Sequence, residues 1–341
     1  MPWTKEIIAA RNALLRTHYG QFNNLVKNGP EWTKLAESGR VWDSIYNIRN
    51  KAPWIAAQRE LGGELRRLDN LRAKVHLGGK ERSPLNILQD TSEFRNNVLA
   101  NFSWKSCMIE KNPLSLATAR TVEAAIPKVT SKSARVFDEA LKLRLPSAEE
   151  LVRLDHGDTA NADQYLELRN NIVATQAALS IGHLERVIKP EELLENIRAI
   201  SRILFLGTKV HFKAGELRKM PIQVHSDPSA IFPYPPELRQ NLQWWSEFVG
   251  GDIPEIHPLF RAAWDSFYFV SIHPFPDGNG RTSRILFASH LAKHGMLPVI
   301  CSKSILREQY LRLLNTARSG DPLPWCQDLV RSQIAALEGL N

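Results

Sequence analysis

The run from 273 to 284, His-Pro-Phe-Pro-Asp-Gly-Asn-Gly-Arg-Thr-Ser-Arg, restricts this chain more than any other stretch. It places a histidine, a carboxylate, a glycine-rich bend and two guanidiniums within twelve positions, an inventory suited to a nucleotide. The following residues, Ile285-Leu286-Phe287-Ala288-Ser289-His290-Leu291-Ala292, carry their apolar side chains at helical rather than alternating spacing. The bend therefore opens onto a helix N-terminus, where backbone N–H groups attract phosphate. Arg281 and Arg284 fall on one face of the first turn, where positive charge opposes the helix dipole and costs stability. Local rules broken in this way imply an anion nearby. Asp277-Gly278 or Asn279-Gly280 could close a two-residue hairpin, but no second strand follows. Phe275 reads as an apolar peg that holds the loop to the core.

The twelve residues resemble the active-site signature of the Fic (filamentation induced by cAMP) family: His, any, Phe, any, Asp or Glu, Gly-Asn-Gly-Arg, two of any, Arg. Every fixed position matches. The similarity extends through Gly215-Glu216-Leu217-Arg218, Tyr234-Pro235-Pro236, and His257-Pro258 with Ala262-Ala263, to Tyr310 and Gly320-Asp321, roughly residues 190–335. The resemblance implies a mostly α-helical Fic fold with a small β-hairpin flap. It also implies transfer of AMP from ATP to a Ser, Thr or Tyr hydroxyl of a target protein, with release of pyrophosphate. Some family members use other nucleotide or phosphate donors.

Carried onto this sequence, the resemblance gives each residue a role. His273 is the expected general base, since neutral imidazole titrates near working pH. Asp277 is the expected Mg²⁺ ligand, because that ion takes one or two carboxylates together with substrate phosphates. Gly278, Asn279 and Gly280 form the phosphate nest, with glycine allowing close backbone approach and the Asn279 amide as a further donor. Arg281 and Arg284 clamp the outer phosphates through paired charge-assisted bonds. Tyr310 is a candidate contact for adenine.

Upstream, Ser106-Cys107-Met108-Ile109-Glu110 resembles the inhibitory motif of Fic proteins that carry a regulatory helix before the core. That pattern ends in Gly or Asn, where this chain has Lys111. By analogy, Glu110 pairs with Arg284 in the place of the γ-phosphate, since one guanidinium fork cannot hold carboxylate and phosphate together. Ser106, four residues earlier on the same helical face, is expected to orient that carboxylate. In some members the same glutamate aligns water that removes AMP, so addition, removal or both are compatible with the motif. From Lys219 to His225 the pattern alternates enough for a short strand, with Ser226-Asp227-Pro228-Ser229 as its turn. It lies where Fic proteins place the flap, so Pro221, Ile222, Gln223 and Val224 are candidates to pair with a target segment by strand addition.

The chain has 341 residues and a net charge of +8. Three segments are expected: a basic helical region of no recognised family over 1–95, an inhibitory-helix segment over 96–155, and a catalytic core over 160–341. Arg66, Arg67, Arg72 and Lys74 alternate with Glu60, Glu64 and Asp69 at helical spacing, which reads as a solvated helix face rather than a nucleic-acid surface. Trp54 through Leu61, Leu65, Leu68 and Leu71 predicts one long amphipathic helix broken near Gly78-Gly79. Trp3, Trp32, Trp42 and Trp54 predict that this region folds or docks, because disordered segments are poor in aromatics. A polar break is expected at Asp155-His156-Gly157-Asp158-Thr159. No run approaches the roughly 18 apolar residues of a membrane span, and the start lacks a secretory pattern. Cys107, Cys301 and Cys326 have neither disulfide nor metal-ligand spacing, so reduced thiols and a cytoplasmic or nuclear address are expected. A homodimer is a further implication of the resemblance. His290 and His294 have the i, i+4 spacing of metal ligands, but Leu291 stands where a metalloprotease needs glutamate. Two other classes stay open: a Fic-fold transferase with another donor, and a catalytically silent adaptor using the basic N-terminal region.

Overall fold

The computed structural model describes residues 4–77, 92–129, 135–182, 189–224, 229–302 and 304–339. The N-terminal part forms α1 (Lys5–Tyr19), α2 (Pro30–Glu37), α3 (Arg40–Tyr46), α4 (Ala52–Glu60) and α5 (Gly62–Leu77). The middle forms α6 (Ser92–Ile109), α7 (Leu116–Ala125), α8 (Val136–Ala140) and α9 (Ala148–Leu154). The remainder is α10 (Ala162–Gly182), α11 (Pro190–Leu204), α12 (Leu238–Gly250), α13 (Pro258–Ile272), α14 (Asn279–Lys293), α15 (Arg307–Arg318) and α16 (Leu323–Glu338). The predicted mostly α-helical class is observed.

Two apolar clusters organise these helices. One joins Trp42, Trp54, Leu61, Leu65 and Leu68 of the N-terminal part to buried residues of α12 through α16. The other joins α7, α8, α9, α10 and α11. Helix α6 lies between them, giving Leu99, Phe102 and Ile109 to the first cluster and Ala100 and Cys107 to the second. A helix buried on more than one side needs no single apolar stripe. α14 is placed likewise, with Phe287 and Leu291 in one cluster and Ile285 in the other.

The N-terminal tryptophans are part of this packing. The Trp54 ring stacks on Trp264 at 5.6 Å between centroids, and the Trp264 indole donates to the Ile48 carbonyl at 2.7 Å. Trp42 is buried and donates to the Ile231 carbonyl at 2.8 Å. Trp3 lies outside the described residues.

Two local expectations are corrected. The long helix expected from Trp54 divides at Leu61, which leaves helical geometry at φ −91° and ψ 13°. Gly62 and Gly63 follow at once, and consecutive glycines weaken a helix at that point; Gly78-Gly79 falls outside the described residues. The strand expected from Lys219 is not formed over 219–223, and within 219–224 only Val224 makes an isolated β-bridge. Arg218 ties this segment elsewhere by donating to the Met220 carbonyl at 3.1 Å, and Pro221 has no N–H for a ladder. Residues 225–228, with the expected turn, lie outside the described residues. The polar break holds: the Gly157 N–H closes α9 onto the Val152 carbonyl at 2.9 Å.

Candidate active site

α13 and α14 are joined by the loop 273–278, and the two ends fix the chemistry. His273 caps α13 in the left-handed region at φ 53° and ψ 56°, a conformation that non-glycine residues adopt mostly where the surroundings impose it. Arg218 supplies that constraint: its Nε donates to the His273 carbonyl at 2.8 Å, its backbone N–H donates to the Pro274 carbonyl at 2.9 Å, and it also donates to the Pro233 carbonyl. The imidazole Nδ1 lies 3.1 Å from the Val270 carbonyl. A proton on Nδ1 is therefore held there, leaving Nε2 as the acceptor. The Phe232 ring covers the imidazole at 4.6 Å. Burial pushes the imidazole pKa down to about 4 against the opposing Val270 hydrogen bond, so His273 is neutral at ordinary pH.

The other end is the N-terminus of α14. Gly278 takes φ 77°, and no side chain caps the helix. A β-carbon on Gly278 would come within 2.9 Å of the Phe205 ring, so only glycine fits there. Asn279 is buried, and its amide is used twice on one residue: it accepts from the Phe275 N–H at 2.9 Å and donates to the Phe275 carbonyl at 2.8 Å. Asn279 therefore shapes the bend through its side-chain amide, and it also lines the cavity beside the loop. Phe275 is buried as the peg it was predicted to be.

The arginines part company. Arg284 Nη2 donates to Glu110 at 2.6 Å and to the Ser106 carbonyl at 3.0 Å, while its Nε donates to Ser106 Oγ at 2.9 Å. Ser106 thus orients the guanidinium, not the carboxylate as expected. Burial alone would push the Glu110 carboxyl up, but Arg284 and, more weakly, Arg281 and Arg307 hold it below the ordinary range. Arg281 instead pairs with Glu167 of α10 at 2.8 Å and lies over the Phe205 ring at 5.2 Å. The cavity beside the loop, about 340 Å³, is lined by His273, Asp277, Gly278, Asn279, Gly280 and Arg284, and not by Arg281. Each arginine that breaks the helix-dipole rule is therefore neutralised by an internal carboxylate.

Glu110 enters the same cavity at the C-terminal end of α6. The Lys111 N–H bonds the Met108 carbonyl at 2.9 Å and the Asn112 N–H bonds the Cys107 carbonyl at 3.0 Å, the paired closure of a helix whose next residue is left-handed. Lys111 is that residue, at φ 71°. A Gly-or-Asn position in the motif is thus explained by backbone geometry, and lysine fills it here. Arg307, which the sequence reading missed, donates to the Ile109 carbonyl at 2.6 Å and also lines the cavity. Ile222, Gln223 and Val224 also line it, with exposed Pro221 just before them. Tyr310 is buried in the wall, with the Arg284 guanidinium 5.9 Å above its ring.

Asp277 sits at the rim, its side chain 72% exposed, and accepts from the Gly278 N–H at 2.6 Å. Among the described residues no group of three or more His, Cys, Asp or Glu could hold a metal alone. One rim carboxylate beside a phosphate-sized cavity fits an ion that is completed by water and substrate phosphates. His290 and His294 stack on each other, and His290 faces Asp265 at 2.8 Å. The three cysteines are buried thiols. No described helix is long and apolar enough to cross a membrane.

An uncapped helix N-terminus, an imidazole held in one tautomer and a guanidinium occupied by a carboxylate meet at this cavity, a set of groups that attracts anions. Residues 192–291 match the Fic/DOC family model, and the chain carries a Fic/DOC domain. Protein adenylyltransferase Fic of Drosophila grimshawi is 32% identical over 161 residues, which is 47% of this chain and 32% of that protein. Protein adenylyltransferase Fic of Nematostella vectensis is 31% identical over 164 residues, 48% of this chain and 37% of that protein. The match thus spans about a third of these relatives. A Fic domain containing signaling protein from Bacteroides thetaiotaomicron superposes with a TM-score of 0.57 at 18% identity, covering 81% of this chain and 98% of that one. C. elegans Fic-1 (aa134–508) superposes at 0.53 and 17% identity, covering 99% of this chain and 98% of that one. These likenesses give the fold.

Proposed function

We propose that this protein transfers AMP from ATP to a hydroxyl group of a target protein, and that Glu110 holds the reaction off. The observation that carries the reading is the Glu110 carboxylate, an anion seated between Arg284 and the first turn of α14, within the cavity that His273 lines. A terminal phosphate presents the same charge and acceptor geometry to the same guanidinium. The relatives named protein adenylyltransferase support the nucleotidyl class.

In this reading the hydroxyl oxygen attacks the α-phosphorus while His273 Nε2 takes its proton. The new P–O bond replaces the bond to the β-phosphate, and pyrophosphate leaves. The N–H groups of residues 279–281 and the Arg284 fork bind phosphate oxygens once Glu110 withdraws. Asp277 would hold Mg²⁺, which supplies charge neutralisation to the phosphates. Ile222, Gln223 and Val224 line the same cavity, where a flap would align an extended target segment.

Incubating the Glu110→Gly variant with labelled ATP, GTP, CTP or UTP and Mg²⁺ tests the reading. Protein-bound label from ATP alone, abolished by His273→Ala, is expected. Label from another nucleotide would reassign the donor, and no nucleotide binding would favour an adaptor.

A further inference from the structure

Asn112 and Glu167 have no part in the reaction above, yet they connect both motif arginines. Asn112 is the second residue past the Glu110 cap and is only 6% exposed. Its amide nitrogen donates to the Gln164 carbonyl at 3.1 Å and to Glu167 Oε2 at 2.7 Å, both on α10. Its amide oxygen accepts from the Leu114 N–H at 3.1 Å. The other oxygen of Glu167 holds Arg281. The turn that carries Glu110 to Arg284 therefore also carries Asn112 to the carboxylate that keeps Arg281 against Phe205, away from the cavity lining.

We propose that Asn112 and Glu167 form a second tie of the inhibitory latch, coupling the hold on Arg281 to the hold on Arg284. Glu110 cannot leave Arg284 by a rigid movement of the helix end without drawing Asn112 from Glu167. Once Asn112 is gone, Glu167 loses one of its two partners and its grip on Arg281 is less constrained. Asn112 is thus a positioning residue acting through Glu110, and its effect on transfer requires Glu110 to be present.

This rests on the transfer reaction proposed above, and the experiment separates the two. Transfer is measured for wild type, Asn112→Ala, Glu110→Gly and the double variant, with amide hydrogen exchange on the same proteins. Asn112→Ala is expected to raise transfer roughly fivefold to tenfold when Glu110 is present, the scale of one ordinary hydrogen bond. In the Glu110→Gly background it should change transfer by less than about twofold, because the coupling has no partner left. The amides of Lys111 and Asn112 should exchange about tenfold faster in Asn112→Ala while those of α10 keep their protection. Asn112→Asp keeps the size but sets two carboxylates together, and should activate at least as strongly. Equal effects in both backgrounds, no activation by either variant, or unchanged exchange at the two amides would overturn the proposal. Absence of label from Glu110→Gly itself would instead overturn the transfer reading, and the exchange comparison would still decide the tie.

Discussion

Glu110 and Gly280 approach so closely that a β-carbon on Gly280 would stand 2.5 Å from Glu110 Oε1. The bare backbone of Gly280 is what lets an anion reach the first turn of α14. Gly280→Ala would also gain helix propensity of up to about 1 kcal/mol, so its net sign depends on whether the carboxylate is there. The substitution should lower the melting temperature with Glu110 present and leave it unchanged or raised in a Glu110→Gly background. Thermal unfolding of the four proteins measures this; an equal shift in both backgrounds would mean that the carboxylate does not rest on Gly280.

Lys111 holds a left-handed conformation that costs a lysine more than a glycine, on the order of 1 kcal/mol. Glycine there would relieve the strain while keeping both closing hydrogen bonds of α6. Lys111→Gly should raise the melting temperature by about 1–2 °C. Because a firmer turn keeps Glu110 in place, transfer should not exceed that of wild type. Higher transfer in a calibrated assay would show that the lysine side chain itself supports inhibition.

Ser106 gives Arg284 two acceptors, its hydroxyl and its carbonyl, and only the hydroxyl depends on the side chain. Ser106→Ala removes one bond of about 1 kcal/mol or slightly more and leaves the Glu110 pair standing. Transfer should rise by roughly fivefold, below the level of Glu110→Gly. An activation as large as that of Glu110→Gly would mean that the hydroxyl, not the carboxylate, sets the latch.

Much of this site was legible in twelve residues, because loop and helix start are local in sequence and their spacing alone sets His273, the bend and Arg284 in order. Phe275 was readable for the same reason. Lys111 was visible as a departure from a pattern, but the left-handed backbone that explains the pattern was not. The partners of Glu167, Arg307 and Asn112 were not readable: each pair meets across a long stretch of chain, and each residue sits in a helix or turn where a charged or amide residue is ordinary. Arg281 was misdirected for that reason. An arginine in a first turn calls for an anion, and the sequence does not say whether a substrate or another helix provides it.

His273 sets the pH dependence. Burial is the main cause of its depressed pKa of about 4, the Val270 hydrogen bond opposes it, and the Arg218 charge lowers it further. Glu110 and Asp277 pull the other way, so removing Glu110 cannot restore an ordinary value. The unfolded chain, with an imidazole near 6.5, takes up the proton first as acid is added. Stability from this group is therefore fully present above about pH 6.5 and is lost as pH falls through the folded value near 4. The same neutrality keeps the base competent. Transfer by Glu110→Gly should be flat between about pH 6 and 8 and decline only toward pH 4 to 5. A pH–rate profile at saturating nucleotide decides this: half-maximal activity near pH 6.5 would mean that the imidazole is solvated in the working state and that the closed cavity is not the reacting one.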